Sequence, residues 1–241
     1  MSSVTTTLPE KLAEAPTRMR AEDRRELILE AATAVFGERG YVGTTTDAVA
    51  KAAGVSQPYV VRMFGTKEAL FLEVLHRALD KLLVTFRAAL ADGIAAGESG
   101  MDVAHRIGMA YADLLTDRGL LLSLMHAFIL GSDPVIGKAA REGFLDVYKF
   151  LRFEAMFSPE DADIFLAHGM MMNTMVGLRM ADEYANGDPC AIDLLETAMP
   201  TKLDVLLDAS TRRTPGQGAR GEGARVLGAP AQGAPAQGAP A

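Results

Sequence analysis

The chain has 241 residues, with 24 basic and 31 acidic side chains, a net charge of −7 and one cysteine. A single thiol excludes an internal disulfide framework and a multi-cysteine metal site, and it indicates a reducing compartment. No apolar run approaches the ~20 residues of a membrane-spanning helix, and the first residues lack the pattern of a signal peptide. We therefore expect a cytoplasmic protein that contacts no membrane.

The two ends of the chain lack the apolar periodicity of packed elements. Residues 1–17 mix Ser, Thr, Pro and Lys, and from about Thr211 the sequence consists largely of Gly, Ala, Pro, Gln and Arg and ends in a short repeat. Segments with so few large apolar residues cannot bury a core. We predict a disordered N-terminal arm over 1–17 and a disordered tail over 211–241.

Apolar residues recur at helical spacing after the N-terminal arm. Residues 22–39 carry a stripe of them, and Gly40 follows where a C-terminal cap belongs. Two short helices come next: one starts within the threonine run from Thr44, any member of which can cap it, and the other starts at Ser56. Thr66 caps a long helix after them. The stripe over 22–39 consists of Leu27, Ile28, Ala31, Ala32, Val35 and Phe36.

Three further helix starts combine a capping residue with a proline in the first turn, at Asp133, Ser158 and Asp188. They predict helices from Ser158 to Tyr184 and from Asp188 to Ala209, the second with a bend at Pro200. About eight or nine helices are expected, and no segment alternates as a strand does. The sequence predicts an all-α fold.

The two short helices, joined by a turn over 53–56, have the form of a helix-turn-helix, whose second helix can lie in a major groove. Val60 and Phe64, four residues apart, are predicted to pack inward. The opposite side carries polar and aromatic groups that can contact base edges, phosphates or a thymine methyl. The alternative is a polar helix face without a ligand. The outward residues are Gln57, Tyr59, Arg62 and Met63.

The charge is distributed unevenly. Residues 39–67 hold Arg39, Lys51, Arg62 and Lys67 against only one acid, whereas residues 76–209 carry 20 acidic and 11 basic side chains. A basic island on an acidic body is compatible with a nucleic-acid contact at one end, although a patch of this size also arises by chance.

Motifs in the same region point to a family. Phe36-Gly37-Glu38-Arg39-Gly40-Tyr41, Thr44-Thr45-Thr46, the segment 49–56 and Phe64-Gly65-Thr66-Lys67-Glu68-Ala69-Leu70 follow in order. This stretch, about residues 22–75, resembles the DNA-binding domain of TetR-type transcriptional repressors. The resemblance implies a homodimer that binds a palindromic double-stranded DNA operator and is released by a small molecule. It implies a three-helix helix-turn-helix domain over 18–66 and a larger helical domain for effector binding and dimerisation over 67–210.

The resemblance also implies roles for single residues. Lys67 opens the long fourth helix and is expected to contact operator phosphate, and Thr45 is expected to cap the second helix. Two positions depart from the family pattern: Val61 stands where a Tyr is usual, and Asp47 where a basic or polar residue is frequent. The expected DNA-binding residues are Thr45, Thr46, Ser56, Gln57, Pro58, Tyr59, Arg62 and Lys67.

Methionines are concentrated between residues 170 and 180. Unbranched thioether side chains line adaptable apolar cavities, but they also fill ordinary cores and dimer interfaces. In a cavity, His126 and Asn173 would be the polar anchors, and the ligand would be a hydrophobic, neutral or cationic compound. The candidate effector-binding residues are His126, Phe128, Phe144, Tyr148, Met171, Met172, Asn173 and Met175.

A rival prediction comes from two acid–histidine pairs, Glu73/His76 and Asp102/His105. Pairs at this spacing on neighbouring helices are typical of ferritin-like metal oxidases, which need two more inward carboxylates. Candidates for those are Glu154, Asp161 and Asp163. No nucleophile elbow, phosphate loop or dinucleotide fingerprint is present. We expect a protein that is not an enzyme and that holds no metal or cofactor.

Overall fold

The structure is a computed structural model that describes residues 20–211, except for the side chains of Arg118 and of 208–211. The arm predicted over 1–17 and the tail beyond Thr211 lie outside the described residues. Thr211 itself, which the prediction placed in the tail, ends the last helix. No helix in the described part is long and apolar enough to cross a membrane.

The first four helices match the predicted order. They are α1 (Ala21–Gly43), α2 (Thr46–Ala52), α3 (Gln57–Phe64) and α4 (Lys67–Ala95). Thr45 caps α2 by accepting from the amide of Ala48 at 3.1 Å, and Thr66 caps α4 in the same way. Thr44 is buried instead, and its hydroxyl donates to the carbonyl of Gly40. Of the three threonines that could cap α2, Thr45 is therefore the one that does so.

Ser56 stands at the N-cap position of α3, but its hydroxyl makes no capping hydrogen bond. An N-cap side chain normally accepts from the second or third helical amide. The second residue here is Pro58, which has no N–H, and the amide of Tyr59 donates to the Ser56 carbonyl at 3.0 Å. The prediction of a side-chain cap at Ser56 is wrong for that reason.

The remaining helices form the body. They are α5 (Met101–Leu114), α6 (Arg118–Ile129), α7 (Ile136–Lys149), a π-helical turn (Phe150–Glu154), α8 (Pro159–Leu178), α9 (Met180–Ala185), α10 (Pro189–Ala198) and α11 (Leu203–Thr211). The described residues hold eleven α-helices and no strand, so the all-α prediction is confirmed and the number of helices was underestimated.

Two predicted long helices are broken. Arg179 adopts the left-handed conformation (φ 57°, ψ 40°) and separates α8 from α9, and a turn at 199–202 separates α10 from α11. The helix predicted to start at Asp133 begins at Ile136, although the Asp133 carboxylate accepts from the amides of Val135 and Ile136 at 2.9 and 2.8 Å, as a capping residue does.

The core runs continuously from the N-terminal helices into the body. Phe36 and Phe71 pack edge to face with ring centroids 4.8 Å apart, and Phe86 lies at the centre of a second aromatic cluster in the body. One predicted core position on α1 is wrong: Leu27 is 37% exposed, and Leu29 is buried in its place. The buried face of α1 is therefore centred one residue later than the apolar pattern indicated.

Helices α1 and α6 cross at a pair of glycines. A Cβ on Gly37 would lie 2.6 Å from the carbonyl oxygen of Gly119, closer than real atoms approach. Beside this crossing, the buried Ser123 hydroxyl lies 2.7 Å from the Gly119 carbonyl and 3.3 Å from that of Thr33 on α1. The helix-turn-helix region is thus joined directly to the body through α6.

Candidate nucleic-acid interface and ligand cavity

Helices α2 and α3 meet across a tight turn at Gly54, whose φ of +64° favours glycine. Val60 and Phe64 of α3 are buried, as the spacing predicted. The side-chain amide of Gln57 donates through Nε2 to the Thr46 hydroxyl at 3.2 Å. This hydrogen bond connects the first residues of α2 and α3 at the surface. Six of the predicted DNA-binding residues start α2 and α3 or lie in the first turns of α3. These are Thr45, Thr46, Ser56, Gln57, Pro58 and Tyr59.

Tyr59 lies between two arginines. The guanidinium carbon of Arg62 is 4.8 Å from the Tyr59 ring centroid, and that of Arg24, from α1, is 5.5 Å away. Cations over an aromatic face are attracted by the ring quadrupole, so both contacts hold the half-buried Tyr59 in one orientation. The contact of Arg24 with Tyr59 could not be predicted from the sequence, because it depends on how α1 packs across α3.

Lys67 lies at the junction of α4 and the end of α1. Its ammonium donates to the Tyr41 carbonyl at 3.0 Å and lies 4.3 Å from the Tyr41 ring centroid. Burial, followed by the negative charges of Glu68 and Asp133, raises the pKa of Tyr41, so the ring remains a neutral phenol. An ammonium has three donors, and one hydrogen bond to Tyr41 leaves two for another partner.

Asp47 and Val61, the two positions that depart from the family pattern, both lie at the surface. Asp47 forms an ion pair with Lys51, one turn later on α2, at 2.7 Å. The Lys51 ammonium offsets the negative charge of the Asp47 carboxylate at this point of the surface. Val61 is exposed on α3 and supplies an apolar surface where the family has a tyrosine.

A cavity of about 60 Å³ lies within the body. Its wall comes from α4, α5, α6, α7 and α8. The lining residues are Leu79, Leu82, Phe86, Tyr111, Leu124, Phe128, Phe144, Val147, Phe165, Leu166, Gly169, Met170 and Asn173.

Three of the predicted effector residues, Phe128, Phe144 and Asn173, line the cavity. The other five, His126, Tyr148, Met171, Met172 and Met175, do not. On α8 the lining residues are 165, 166, 169, 170 and 173, which form one helical face, and the three methionines lie off that face. Tyr111 also lines the cavity, but it could not be predicted from the sequence, because an isolated tyrosine on an amphipathic helix has no distinctive pattern.

His126 contacts α1 instead of the cavity. A Cβ on Gly40 would lie 3.2 Å from two atoms of the His126 ring. Gly40 has a φ of +69° and marks the kink near the end of α1. His168 is exposed on α8 and also lies outside the cavity lining.

The residues of the rival metal prediction do not come together. Glu73 forms an ion pair with Arg25, and His76, Asp102 and His105 are exposed. Within residues 20–211, no group of three or more His, Cys, Asp or Glu side chains could hold a metal ion. The described geometry gives the ferritin-like alternative no support.

Comparison with known proteins identifies the N-terminal region. Residues 28–74 match the model of the bacterial regulatory proteins of the tetR family. Residues 28–74 therefore form an N-terminal domain of the tetR-family type. The match coincides with the helices that carry Tyr59, Arg62 and Lys67.

Named relatives each match about 30% of the chain. The chain is 41% identical over 73 residues to the transcriptional activator FasR of Mycolicibacterium smegmatis (30% of this chain, 33% of FasR). It is 36% identical over 69 residues to the transcriptional regulator RutR of Escherichia coli (29% and 32%) and 35% identical over 71 residues to the transcriptional repressor KstR2 of Rhodococcus jostii (30% and 35%). The match spans about a third of the length of these curated relatives. They are named as transcriptional regulators, which are not enzymes.

Solved structures share the fold over most of the chain. A TetR-family member from Streptomyces coelicolor A3 has a TM-score of 0.53 at 20% identity, covering 79% of this chain and 97% of that one. A TetR-like regulator from Rhodococcus sp. RHA1 has a TM-score of 0.51 at 20% identity, covering 81% and 97%. The TetR-type architecture, a helix-turn-helix domain followed by a larger helical body, therefore extends beyond the region of sequence similarity.

Proposed function

We propose that this chain is a TetR-type transcriptional repressor that binds a palindromic DNA operator as a dimer and is released by a small, largely hydrophobic effector. The observation that carries the proposal is the surface of α3. Its inner side is closed by Val60 and Phe64, and its outer side presents Gln57 and Arg62 beside the oriented ring of Tyr59. Such side chains pair with base edges and phosphates in a major groove.

Support for a dimer comes from α8. Three large apolar side chains, seven residues apart, are exposed on it: Ile164 (61%), Met171 (37%) and Leu178 (67%). A repeat of seven keeps one helical face toward a partner helix. This stripe is distinct from the face that lines the cavity, so one helix serves the effector site and the partner.

Support for effector control comes from α6. Leu124 and Phe128 of this helix line the cavity, and Gly119 and His126 of the same helix contact α1. A ligand that displaces α6 must therefore move it against the helix-turn-helix domain. Operator binding requires two recognition helices about one DNA turn apart, ~34–36 Å, and a ligand that prefers another spacing shifts the population away from it.

The experiment that tests the proposal is selection of binding sites from random duplex DNA by the purified full-length protein. We expect enrichment of an inverted repeat whose half-sites are centred about one helical turn apart. A variant with Gln57→Ala and Arg62→Ala on the outer side of α3 should lose that enrichment while keeping the melting temperature of the native chain. Recovery of no preferred sequence, or of a single unrepeated site, would contradict the proposal.

A further inference from the structure

The cavity wall contains one pair of polar side chains, Tyr111 and Asn173. The Tyr111 hydroxyl donates to Asn173 Oδ1 at 2.6 Å. The other lining residues that the structure describes are Leu, Val, Phe, Met and Gly. Burial raises the pKa of Tyr111 well above its ordinary value. The polar pair is therefore neutral, and the lining contains no charged side chain.

Asn173 is only 5% exposed, yet its side-chain amide nitrogen has no protein acceptor among the described residues. An amide carries two N–H donors. A buried donor without an acceptor costs the full desolvation of that group, so such groups in native proteins are usually satisfied by water or a ligand. An oxygen atom placed in the cavity would satisfy the Asn173 amide.

The apolar residues of the cavity wall determine which apolar group of a ligand fits. Phe86, Phe128, Phe144 and Phe165 give it four aromatic rings, which favour a flat or aromatic apolar group. Gly169 lies beside the Tyr111 ring, where an added Cβ would come within 3.5 Å of it. The polar pair therefore lies against open backbone and is not screened by a side chain on that side.

Resting on the proposed effector role, we infer that the ligand is an uncharged apolar molecule with one hydrogen-bond acceptor, such as a ketone or ether oxygen, which accepts from the Asn173 amide. Both kinds of ion are rejected. The negative charge of the body attracts cations at long range, but a cation in this cavity would meet no carboxylate to offset its desolvation. The sequence is compatible with neutral and cationic ligands, whereas the uncharged lining of the cavity favours neutral ones.

A matched set of four small aromatic compounds tests this inference in the absence of DNA. They are acetophenone, ethylbenzene, benzoate and benzylammonium, with dissociation constants measured by NMR titration of the full-length chain at pH 7. We expect both ions to bind at least about tenfold more weakly than acetophenone. Asn173→Leu should weaken acetophenone binding by about 2- to 10-fold and leave ethylbenzene binding unchanged or stronger.

Two variants serve as controls. Val84→Leu, an exposed residue of α4 that belongs neither to the cavity lining nor to the stripe on α8, should change neither dissociation constant. Because Asn173→Leu leaves the Tyr111 hydroxyl without its acceptor, the double variant Tyr111→Phe, Asn173→Leu removes both polar groups and should reproduce the loss if Asn173→Leu alone unfolds the chain.

The inference is overturned if either ion binds as tightly as acetophenone, if loss of Asn173 shifts the ketone and the hydrocarbon alike, or if none of the four compounds binds. A separate titration with operator DNA distinguishes this failure from failure of the proposed function. Ligand binding with the expected preference but no effect on DNA affinity would contradict the effector role and leave the inference standing.

Discussion

At the residue scale, Lys67 connects the fold with the proposed DNA contact. Its ammonium fastens the start of α4 to the end of α1 through the Tyr41 carbonyl. We predict that Lys67→Ala weakens binding to operator and to unrelated duplexes by a similar factor, because a phosphate contact carries no sequence information. The slope of log affinity against log salt should fall by about one unit. Fluorescence anisotropy over a range of salt concentrations measures both effects.

Lys138→Ala is the matched control for Lys67→Ala. This lysine is exposed on α7, where it forms an i,i+4 ion pair with Glu142, so the variant removes the same charge away from the proposed interface. Wild-type affinity and salt slope in Lys67→Ala, or an equal change in both variants, would show that Lys67 makes no phosphate contact.

Single residues were predicted well where local chemistry decides. Thr45, Thr66 and Ser158 cap helices because a hydroxyl three residues before a free amide has few competing partners. The roles of Arg24 and Tyr111 escaped prediction because they depend on which helices cross. A sequence gives the periodicity of a helix, but the rotation of that helix against a distant neighbour is fixed only by packing.

At the scale of elements, α1 and α6 lie so close where they cross that no side chain fits at Gly37. We predict that Gly37→Val lowers the free energy of unfolding by about 2–3 kcal/mol, because the added atoms would overlap the backbone of Gly119. Gly43→Val, in the same helix, is the control: its Cβ would make only an ordinary 3.5 Å contact, and its effect should stay within about 0.5 kcal/mol. Urea denaturation of both variants measures the difference, and equal stability would contradict close packing at this crossing.

A second element-scale prediction concerns the bond between α4 and the π-helical turn. Arg87 donates twice to Glu154, at 2.8 Å each, and this hydrogen bonding lowers the pKa of Glu154. A depressed folded-state pKa gives stability that is present at neutral pH and is lost as the pH falls through that pKa. Glu154→Gln should therefore lower the free energy of unfolding at pH 7, by less than about 1 kcal/mol because the pair is largely exposed. The melting temperature at pH 7 should fall slightly as a result.

The same difference between Glu154→Gln and the native chain should shrink as the pH falls through the lowered pKa of Glu154, and it should disappear once that carboxyl is protonated in the folded chain. Glu30→Gln, which removes an exposed carboxylate from α1, is the control and should melt like the native chain at pH 7. A difference for Glu154→Gln that persists unchanged into acid would mean that the ion pair is not its cause.

The sequence predicted which segments form helices better than it predicted where those helices begin and end. Periodicity and caps located α1 to α4 because each is bounded by a hydroxyl or a glycine. The break at Arg179 could not be predicted, because a non-glycine residue adopts the left-handed conformation only when packing compensates for it. Its cost is local, but the contacts that offset it come from the rest of the fold.

At the scale of the whole molecule, the exposed stripe on α8 should form the dimer interface. We predict that Met171→Asp converts the dimer to a monomer in sedimentation velocity, because a carboxylate at the centre of a paired apolar face would be buried without a partner. Operator affinity should fall with it, since two half-sites need two joined recognition helices. Val84→Asp is the control, an exposed apolar residue on α4; an identical shift in both variants would place the interface elsewhere.

The two faces of α8 also make subunit association and ligand occupancy thermodynamically reciprocal. Asn173 faces the cavity and Met171, two residues away, belongs to the stripe. A ligand that displaces α8 must change the dimer dissociation constant by the same factor by which dimerisation changes ligand affinity. The apparent affinity for ligand should then depend on protein concentration across the range in which the dimer dissociates. Titrations above and below that range measure this dependence, and coinciding curves would mean that α8 stays in place when the cavity fills.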